Sequence, residues 1–339
     1  MIWVTWRQFR AQALTAAVVL ALALVCAVVT GLEMHHDYAA DLATCTPADD
    51  CNLVLNNFLR GYNAASSLAQ ILVIAAPGLI GVFWGAPLIA RELENGTHQL
   101  AWNQSVTRTR WLAVKLLVVG LASMATAGVL GYLLTWWAAP IDQFNGNRFD
   151  PMTFATRDIV PLGYAAFAFA LGTTVGLMLR RTVAAMAITL AVFVAVQIVM
   201  PTVVRPNLLP STTVTYPINA TTTAEANGIF GQNGLFYIEG LTTPQGSWVL
   251  NNSPVENSSD SDVNMQNYNT CFLGPLTTKQ SVSPAQIGAC LSKYDLHEAM
   301  TYQPASHYWP LQWIETGIFT VLAGVLSGSC FWWIRRRQN

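Results

Sequence analysis

The chain has 339 residues, of which 53% are hydrophobic and only 10% are charged, and its formal net charge is −1. A soluble domain carries about 25% charged residues, so this composition indicates a membrane protein and excludes an ordinary soluble domain. The net charge gives no indication of nucleic-acid binding. None of the lysines follows a glycine, which excludes the G-x-x-x-x-G-K-[ST] phosphate loop as a route to ATP binding.

Residues 1–10 combine aromatic and basic side chains, with Trp3, Trp6 and Arg10 near one helical face. This pattern predicts a short interfacial helix that lies on the inner leaflet with its aromatic rings among the lipid head groups. Residues 11–32 follow without a charge. This run is longer than the apolar core of a secretory signal, so it predicts a retained first span.

An acidic loop is expected after the first span, because acids recur from position 33 to position 50. His35 and His36 lie among these acids. Adjacent side chains point in different directions on any regular element, so we expect no metal site.

The charge-free runs at 61–90 and 116–141 each exceed the roughly 20 residues that a spanning helix needs. They predict a second span at about 66–90, kinked at Pro77, and a third at about 112–137. The loop between them, 91–111, is rich in cations and faces the cytoplasm by the positive-inside rule.

This loop has the pattern of a helix, a turn and a second helix. Residues 88–95 can form a short amphipathic helix, and Gly96 stands where a left-handed C-terminal cap is expected. Ser105 or Thr107 can cap the following helix. We therefore expect an acidic and apolar segment at the cytoplasmic surface.

The fourth and fifth spans are predicted at about 159–179 and 182–204, joined by a tight cytoplasmic turn at Arg180 and Arg181. Residues 202–310 are rich in Thr, Asn, Gly and Pro. Strand-like runs at 235–238 and 247–250, and a helix that begins at Ser283–Pro284, predict a mixed α/β extracytoplasmic domain there.

The predicted fold is an all-α polytopic membrane protein with six transmembrane helices, an N-terminal interfacial helix, and the mixed α/β domain between the fifth and sixth spans. Residues 1–201 hold the first five spans, and 311–339 hold the sixth span and a basic tail. With both termini in the cytoplasm, most cations lie on the inner side of the membrane, whereas only two acids, Glu92 and Glu94, lie there. The inner cations are Arg7, Arg10, Arg91, Arg108, Arg110, Lys115, Arg180, Arg181, Arg335, Arg336 and Arg337.

The cysteines agree with this topology. Cys45, Cys51, Cys271 and Cys290 all fall outside, in two local pairs, and an oxidising exterior permits disulfides. We expect Cys45–Cys51 and Cys271–Cys290, although four cysteines allow three connectivities. Cys26 and Cys330 lie in spans and are expected to pack there.

Three stretches resemble ABC transporter permeases of the ABC-2 type. The loop 91–111 and the residues just after it resemble the coupling-helix region of that family, which reads roughly R-E-x-E-x-G-T and, after a gap, S/T-R-x-x-x-x-x-K; six residues rather than five precede the lysine here. The segments 3–10 and 302–315, together with the closing 332–337, resemble the two ends of a group of bacterial permeases of similar length. The loop residues that carry the resemblance are Arg91, Glu92, Glu94, Gly96, Thr97, Thr107, Arg108 and Lys115.

The resemblance implies a dimer of permeases, either homodimer or heterodimer, and two cytoplasmic ABC ATPase subunits that bind ATP and Mg. It implies export more often than import, and no cofactor or catalytic site in this chain. The residues that it assigns to contact with the ATPase are Arg91, Glu92, Glu94, Gly96, Thr97 and Arg108.

One carboxylate, Glu315, stands a few residues inside the sixth span, and Gln312 is on the same helical face. A carboxylate in partly apolar surroundings needs a partner, and Arg205 is the candidate at a similar depth. Two roles remain open. The pair Gln312 and Glu315 either lines the outer mouth of a translocation path between two permeases, or Glu315 only anchors its helix.

These observations favour the permease subunit of an ATP-driven exporter that moves an amphipathic or lipid-like compound, a peptide or a drug outward. One alternative is an ABC-linked membrane sensor or immunity protein, whose outer domain binds a ligand without transporting it. Another is a channel or secondary carrier. The loop 91–111 favours the exporter, because neither alternative needs a docking segment for an ATPase.

Overall fold

A computed structural model describes residues 2–44, 51–96, 107–145, 147–224, 226, 228–232, 235–239, 244–259, 261–263, 268, 271 and 284–337. The chain forms two compact units. The first, here the helical unit, contains Met1–Arg205 and Trp309–Asn339, and the second, here the mixed unit, contains Pro206–Tyr308.

The helical unit consists of long helices joined by short segments. Its helices are α1 (Ile2–Thr44), α2 (Cys51–Ile80), α3 (Ala86–Glu94), α4 (Arg108–Trp137), α5 (Ala139–Asn145), α6 (Pro151–Thr156), α7 (Val160–Leu179) and α8 (Thr182–Val199), with π-helical turns at Gly81–Gly85 and Met200–Val204. The last helix follows the elements of the mixed unit in the chain and has the bounds Tyr308–Arg337.

In the part of the chain that the structure describes, six helical stretches are long and apolar enough to cross a membrane, which makes the chain a multi-pass membrane protein. They are Phe9–Ala43, Asn56–Glu94, Arg108–Trp137, Val160–Leu179, Thr182–Asn207 and Ala305–Arg336. Charge-free runs predicted these six spans because a bilayer admits few charges along a helix.

The predicted interfacial helix at 1–10 is wrong as a separate element, because α1 runs without a break from Ile2 to Thr44. Residues 2–44 contain no proline and one glycine, Gly31, so nothing ends the helix near Arg10. Phe9 is buried and packs edge-on against Trp84, with ring centroids 5.0 Å apart. Residues 2–10 are therefore the first turns of α1, and Phe9 packs against the bundle where the first candidate span begins.

The acidic loop expected after the first span is also wrong up to residue 44, because α1 continues through it. Glu33, Asp37 and Asp41 recur every four residues, so helix formation places them on one face. The Tyr62 hydroxyl of α2 donates a hydrogen bond of 2.7 Å to Asp37 Oδ2. These acids thus belong to a helix face that contacts α2.

The helix α7 is the central element of the helical unit, and most of its residues are buried. Small residues let the π-helical turn Gly81–Gly85 approach its backbone closely. A Cβ built at Gly172 would lie 2.3 Å from the carbonyl oxygen of Gly81. Backbone contacts of this kind are typical of packed membrane helices, and they fix the position of α3, which follows the turn.

The mixed unit contains short strands and helices. Its elements are β1 (Thr212–Pro217), α9 (Ala220–Ala224), β2 (Gly228–Gln232), β3 (Leu235–Glu239), β4 (Trp248–Asn252), α10 (Pro284–Leu291) and β5 (His297–Gln303), and they precede α11 (Tyr308–Arg337). The described strands form two small antiparallel sheets, one with the order β1-β5-β4 and one that pairs β2 with β3.

The core of the mixed unit brings these elements together around Phe236, Ile238, Leu291 and Met300. Cys271 and Cys290 are joined by a disulfide that fastens α10 to this core. The sequence predicted β3, β4 and α10, whereas it gave no indication of β1 and β5.

Candidate functional site

The segment from α3 to the first turns of α4, here the α3–α4 connection, is tied to α4 by an ion pair. Lys115 Nζ lies 2.5 Å from Glu92 Oε1, and the Lys115 side chain is only 3% exposed. The ammonium also lies 4.7 Å from the centre of the Trp111 ring. A lysine so deeply buried requires a partner, and Glu92 provides it.

A second link ties the same connection to α8. Glu94 Oε2 accepts hydrogen bonds from the Thr182 backbone N, at 3.1 Å, and from Thr182 Oγ1, at 2.7 Å. Thr182 is the first residue of α8, where backbone N–H groups have no partner inside the helix. The carboxylate therefore satisfies the start of α8 and interacts favourably with its dipole.

The caps predicted for this connection are confirmed. Gly96 has φ +70°, and its backbone N donates to Leu93 O at the end of α3. Thr107 is the N-cap of α4, and its side chain accepts from the Arg110 backbone N. Thr97 lies outside the described residues, so its predicted role is not tested.

These contacts change the interpretation of the two acids. The sequence assigned Glu92 and Glu94 to contacts with an ATPase, but both carboxylates bind groups of their own chain. Arg91 and Asn95 are exposed at the end of α3, and Arg108 is half-buried at the start of α4. The connection therefore offers cationic and amide groups, while its acids hold it to two spans.

A second cluster joins three spans at the opposite end of the helical unit. Arg205 Nε lies 2.9 Å from Glu315 Oε2, and Arg205 Nη2 lies 3.1 Å from Glu315 Oε1. The Tyr164 hydroxyl donates to Glu315 Oε1, and the guanidinium lies 4.0 Å from the centre of the Phe154 ring. Arg205 and Glu315 are both fully buried, and Arg205 is the partner that the sequence argument named.

Gln312 joins the same region of α11 to α6 and α7. Its Nε2 donates to Phe154 O, and its Oε1 accepts from the Val160 backbone N, each at 3.2 Å. Gln312 and Glu315 have no exposed surface in this conformation. Their predicted place at the mouth of a path therefore requires this end of the bundle to open.

The sequence gave no indication that Arg157 and Asp142 form a buried ion pair. Arg157, which is fully buried, donates to Asp142 Oδ2 from Nε at 2.9 Å and to Asp142 Oδ1 from Nη2 at 3.2 Å. The pair connects the end of α6 to α5. Tyr164 was missed for a different reason, since a tyrosine in an apolar helix is more often a packing residue.

The remaining predicted residues have simpler surroundings. His35 Nε2 lies 3.2 Å from Trp136 O, and its ring stacks on the Trp136 ring. Among the described residues, no three His, Cys, Asp or Glu side chains are grouped so that they could hold a metal ion. Cys45 lies outside the described residues, as does the side chain of Cys51, so their predicted disulfide is not tested.

Six candidate spans in the described residues, with a charged connection whose flanking helices are capped, define a polytopic membrane protein. A family model described as ABC-2 membrane transporter related matches residues 16–205. This match covers more than half of the chain, so the chain belongs to that family and is an ABC-2 type permease. Neither the curated proteins nor the solved structures gave a match.

Permeases of this family are, in general, non-catalytic transport subunits that work with an ABC ATPase. The matched region contains α3, the connection and the start of α4. The last span and the whole mixed unit lie outside it.

Proposed function

We propose that the chain is the permease subunit of an ATP-driven exporter in a bacterial plasma membrane, with both termini in the cytoplasm. It moves an amphipathic or lipid-like compound, a peptide or a drug outward. ATP and Mg bind to two separately encoded ATPase subunits, and a second permease copy completes the path.

The observation that carries this proposal is the double link of the α3–α4 connection. Glu92 binds Lys115 of α4, and Glu94 binds the first residue of α8. The π-helical turn before α3 packs backbone to backbone on α7. A displacement imposed on the connection is therefore passed to several spans through contacts that are buried or short, and an ATP-driven transporter requires such a transmission.

The exposed groups of the connection supply the docking surface in this proposal. Arg91 and Asn95 are accessible at the end of α3, and Gly96 turns the chain sharply there. We expect Arg91 to meet a carboxylate on the ATPase, because the acids of the connection are already bound within the permease. Truncating one partner of a charged contact at an interface costs about 2–5 kcal/mol when it is buried.

Exposed apolar faces support contact with lipid and with a second permease. In the apolar part of α1, Leu22 and Val25 are among many exposed side chains. On α11, Gly324 and Gly328 form a small-x-x-x-small pattern, and a Cβ built at either would meet nothing within 4 Å among the described residues. This pattern is typical of close helix–helix association in membranes.

Co-expression with a P-loop ATPase encoded beside this chain tests the proposal. Wild-type permease should co-purify with the ATPase, and proteoliposomes holding both should export an amphiphile from a substrate panel only when ATP is added. Arg91→Glu should reduce co-purification at least tenfold. Arg336→Glu is the matched control, since Arg336 is an exposed arginine near the end of α11, and it should bind normally.

The alternatives give different results in the same assay. A sensor or immunity protein would bind a ligand without ATP-dependent movement, and a channel or carrier would show flux without ATP. Either result would contradict the proposed function.

A further inference from the structure

A polar stripe runs along the first half of α2, although this helix belongs to a candidate span. Asn56, Arg60, Asn63, Ser67 and Gln70 follow one another at intervals of four, three, four and three residues. This spacing places them on one helical face. Polar residues within a span are costly in lipid, and they mark functional sites unless they are packed away.

The stripe is not packed away, because it forms one wall of a cavity of about 540 Å³. The other wall comes from α5, α6 and the segment between them, with Asp142, Asn147, Asp150 and Thr153. Asn63 and Ser67 are exposed in this cavity. The volume falls within the range of small-molecule sites, about 300–1,000 Å³.

The charges that line the cavity balance. Both carboxylate oxygens of Asp142 are occupied by Arg157. Asp150 Oδ2 accepts from the Thr153 backbone N and from Thr153 Oγ1 at the start of α6. Arg60 and Asp150 then leave no net charge, so the cavity does not select an anion by charge.

The remaining polar groups of the lining are amides and hydroxyls, which both donate and accept hydrogen bonds, and Leu59 and Ile141 complete the lining. A neutral molecule that carries several hydroxyl groups, each of them also a donor and an acceptor, matches this lining. Apolar residues that flank the stripe on one side of α2 indicate a second property of the ligand. Leu68 and Ile71 are exposed, and each follows a polar member of the stripe by one residue.

We propose that this cavity binds the uncharged, hydroxyl-rich head group of a membrane amphiphile, such as a glycosyl diacylglycerol, whose tails lie along Leu68 and Ile71. The cavity lies at the end of the span remote from α3, where about 34 residues at 1.5 Å each separate Arg60 from Glu94. A spanning helix of that length extends past a hydrocarbon core of about 30 Å, so the head group sits in the interfacial layer. This inference does not rest on transport and stands if the chain exports nothing.

Native mass spectrometry of the purified full-length chain in a sugar-free detergent tests the proposal. The chain is incubated with an equimolar mixture of monoglucosyl diacylglycerol, phosphatidylethanolamine and phosphatidylglycerol with the same acyl chains. The glucosyl lipid should be retained at least fivefold over either phospholipid. A preference for phosphatidylethanolamine or phosphatidylglycerol, or no preference, would overturn the proposal.

Two substitutions on α2 locate the site. Asn63→Leu should lower the retained glucosyl lipid roughly fivefold, which corresponds to one lost hydrogen bond. Asn57→Leu is the matched control, because Asn57 is an exposed amide on the same helix that does not line the cavity, and it should leave retention unchanged. Equal losses in both variants would refute the site.

A second variant and a soluble sugar complete the experiment. If thermal unfolding shows that Asn63→Leu does not fold, Ser67→Leu is used instead, and we expect the same roughly fivefold loss of retained glucosyl lipid. Methyl glucoside at the concentration of the lipid should leave no adduct, because it lacks tails. If the chain retains methyl glucoside and shows no preference for the glucosyl lipid, the cavity binds a free sugar. That result would contradict the proposal that it binds a membrane amphiphile.

Discussion

Arg205 and Glu315 are 110 residues apart in the chain and form a two-bonded ion pair with both side chains fully buried. The pair fastens the start of the sixth span to the end of the fifth, and the Tyr164 hydroxyl adds the fourth span. Burying two charges is costly, and good geometry with further hydrogen bonds offsets that cost. The cluster therefore acts as a latch at the end of the bundle remote from the α3–α4 connection.

Glu315→Gln tests this latch. The substitution keeps the shape and leaves the Arg205 charge buried without its counter-ion, so we expect a loss of about 3–5 kcal/mol in the free energy of unfolding. The fraction of folded protein on size exclusion, with thermal unfolding of the purified chain, gives the measurement. Unchanged yield and unchanged unfolding would contradict the latch.

A double variant separates packing from function. Arg205→Met with Glu315→Leu removes both charges and should recover much of the folded yield that Glu315→Gln loses. If Glu315 also lines the path, as the sequence suggested, the folded double variant should bind the ATPase normally but transport substrate poorly. Normal transport by that variant would assign Glu315 to anchoring alone.

The Glu92–Lys115 pair should transmit ATPase contact to the membrane. Lys115→Met leaves Glu92 without its buried partner, and we expect reduced substrate-stimulated ATPase activity in the reconstituted complex at nearly normal co-purification. Arg110→Met is the control, since it removes an exposed cation one turn earlier on α4. A double-mutant cycle with Glu92→Gln should show coupling of about 0.5–3 kcal/mol. Strict additivity would show that the two residues act independently.

Gly172 should not tolerate a side chain. A Cβ there would lie 2.3 Å from the Gly81 carbonyl oxygen and 2.8 Å from the Ala86 backbone N, so Gly172→Ala must separate two backbones. We expect a loss of at least about 1–3 kcal/mol, measured as a lower unfolding temperature. Gly317→Ala is the matched control, because a Cβ at Gly317 meets nothing within 4 Å among the described residues. Equal effects of the two variants would contradict the close contact of α7 with the π-helical turn.

Glu298 makes the stability of the mixed unit depend on pH. Burial raises the pKa of this carboxyl from 4.5 to about 7, although hydrogen bonds from the Ile238 backbone N and the Asn252 side chain lower it. The folded state therefore binds a proton that the unfolded state has already lost between those pH values. The stabilising contribution is present below about pH 4.5 and is lost as the pH rises through about 7, with a total near 3 kcal/mol.

Hydrogen exchange of β3 and β5 amides in the full chain measures this dependence. After correction for intrinsic exchange rates, protection should fall between pH 5 and pH 8 in the wild type and stay flatter in Glu298→Gln. Glu256→Gln is the control for the neighbouring His297, whose Nε2 lies 3.6 Å from Glu256 Oε2. An identical pH profile in wild type and Glu298→Gln would refute the assignment.

The sequence predicted the spans because length and the absence of charge are enough to define a membrane helix. It failed at residues 1–10 because an interfacial helix and the first turns of a span have the same periodicity. It missed β5 because Glu298 occupies an inward position between buried neighbours such as Met300, so the strand does not alternate as an apolar strand would.

The candidate sites divide in the same way. Arg205 and Glu315 could be paired from the sequence, because each is a lone charge near the same end of a span. The partners of Glu92 and Glu94 could not be predicted, since a carboxylate at the end of a helix serves a neighbouring chain or its own chain equally well. The cavity beside α2 was missed because its second wall comes from a segment that looked like a plain loop.

Site-specific photocross-linking tests the central claim, that the α3–α4 connection docks on an ATPase, most directly. Benzoylphenylalanine is placed at Asn95, which is exposed at the end of α3, or at Asn57, which is exposed near the start of α2. Both variants are co-expressed with a candidate ABC ATPase that co-purifies with the wild-type chain. The account predicts a cross-link to the ATPase from position 95 and none from position 57. A cross-link from position 57, or none from position 95 in a complex that still co-purifies, would contradict it.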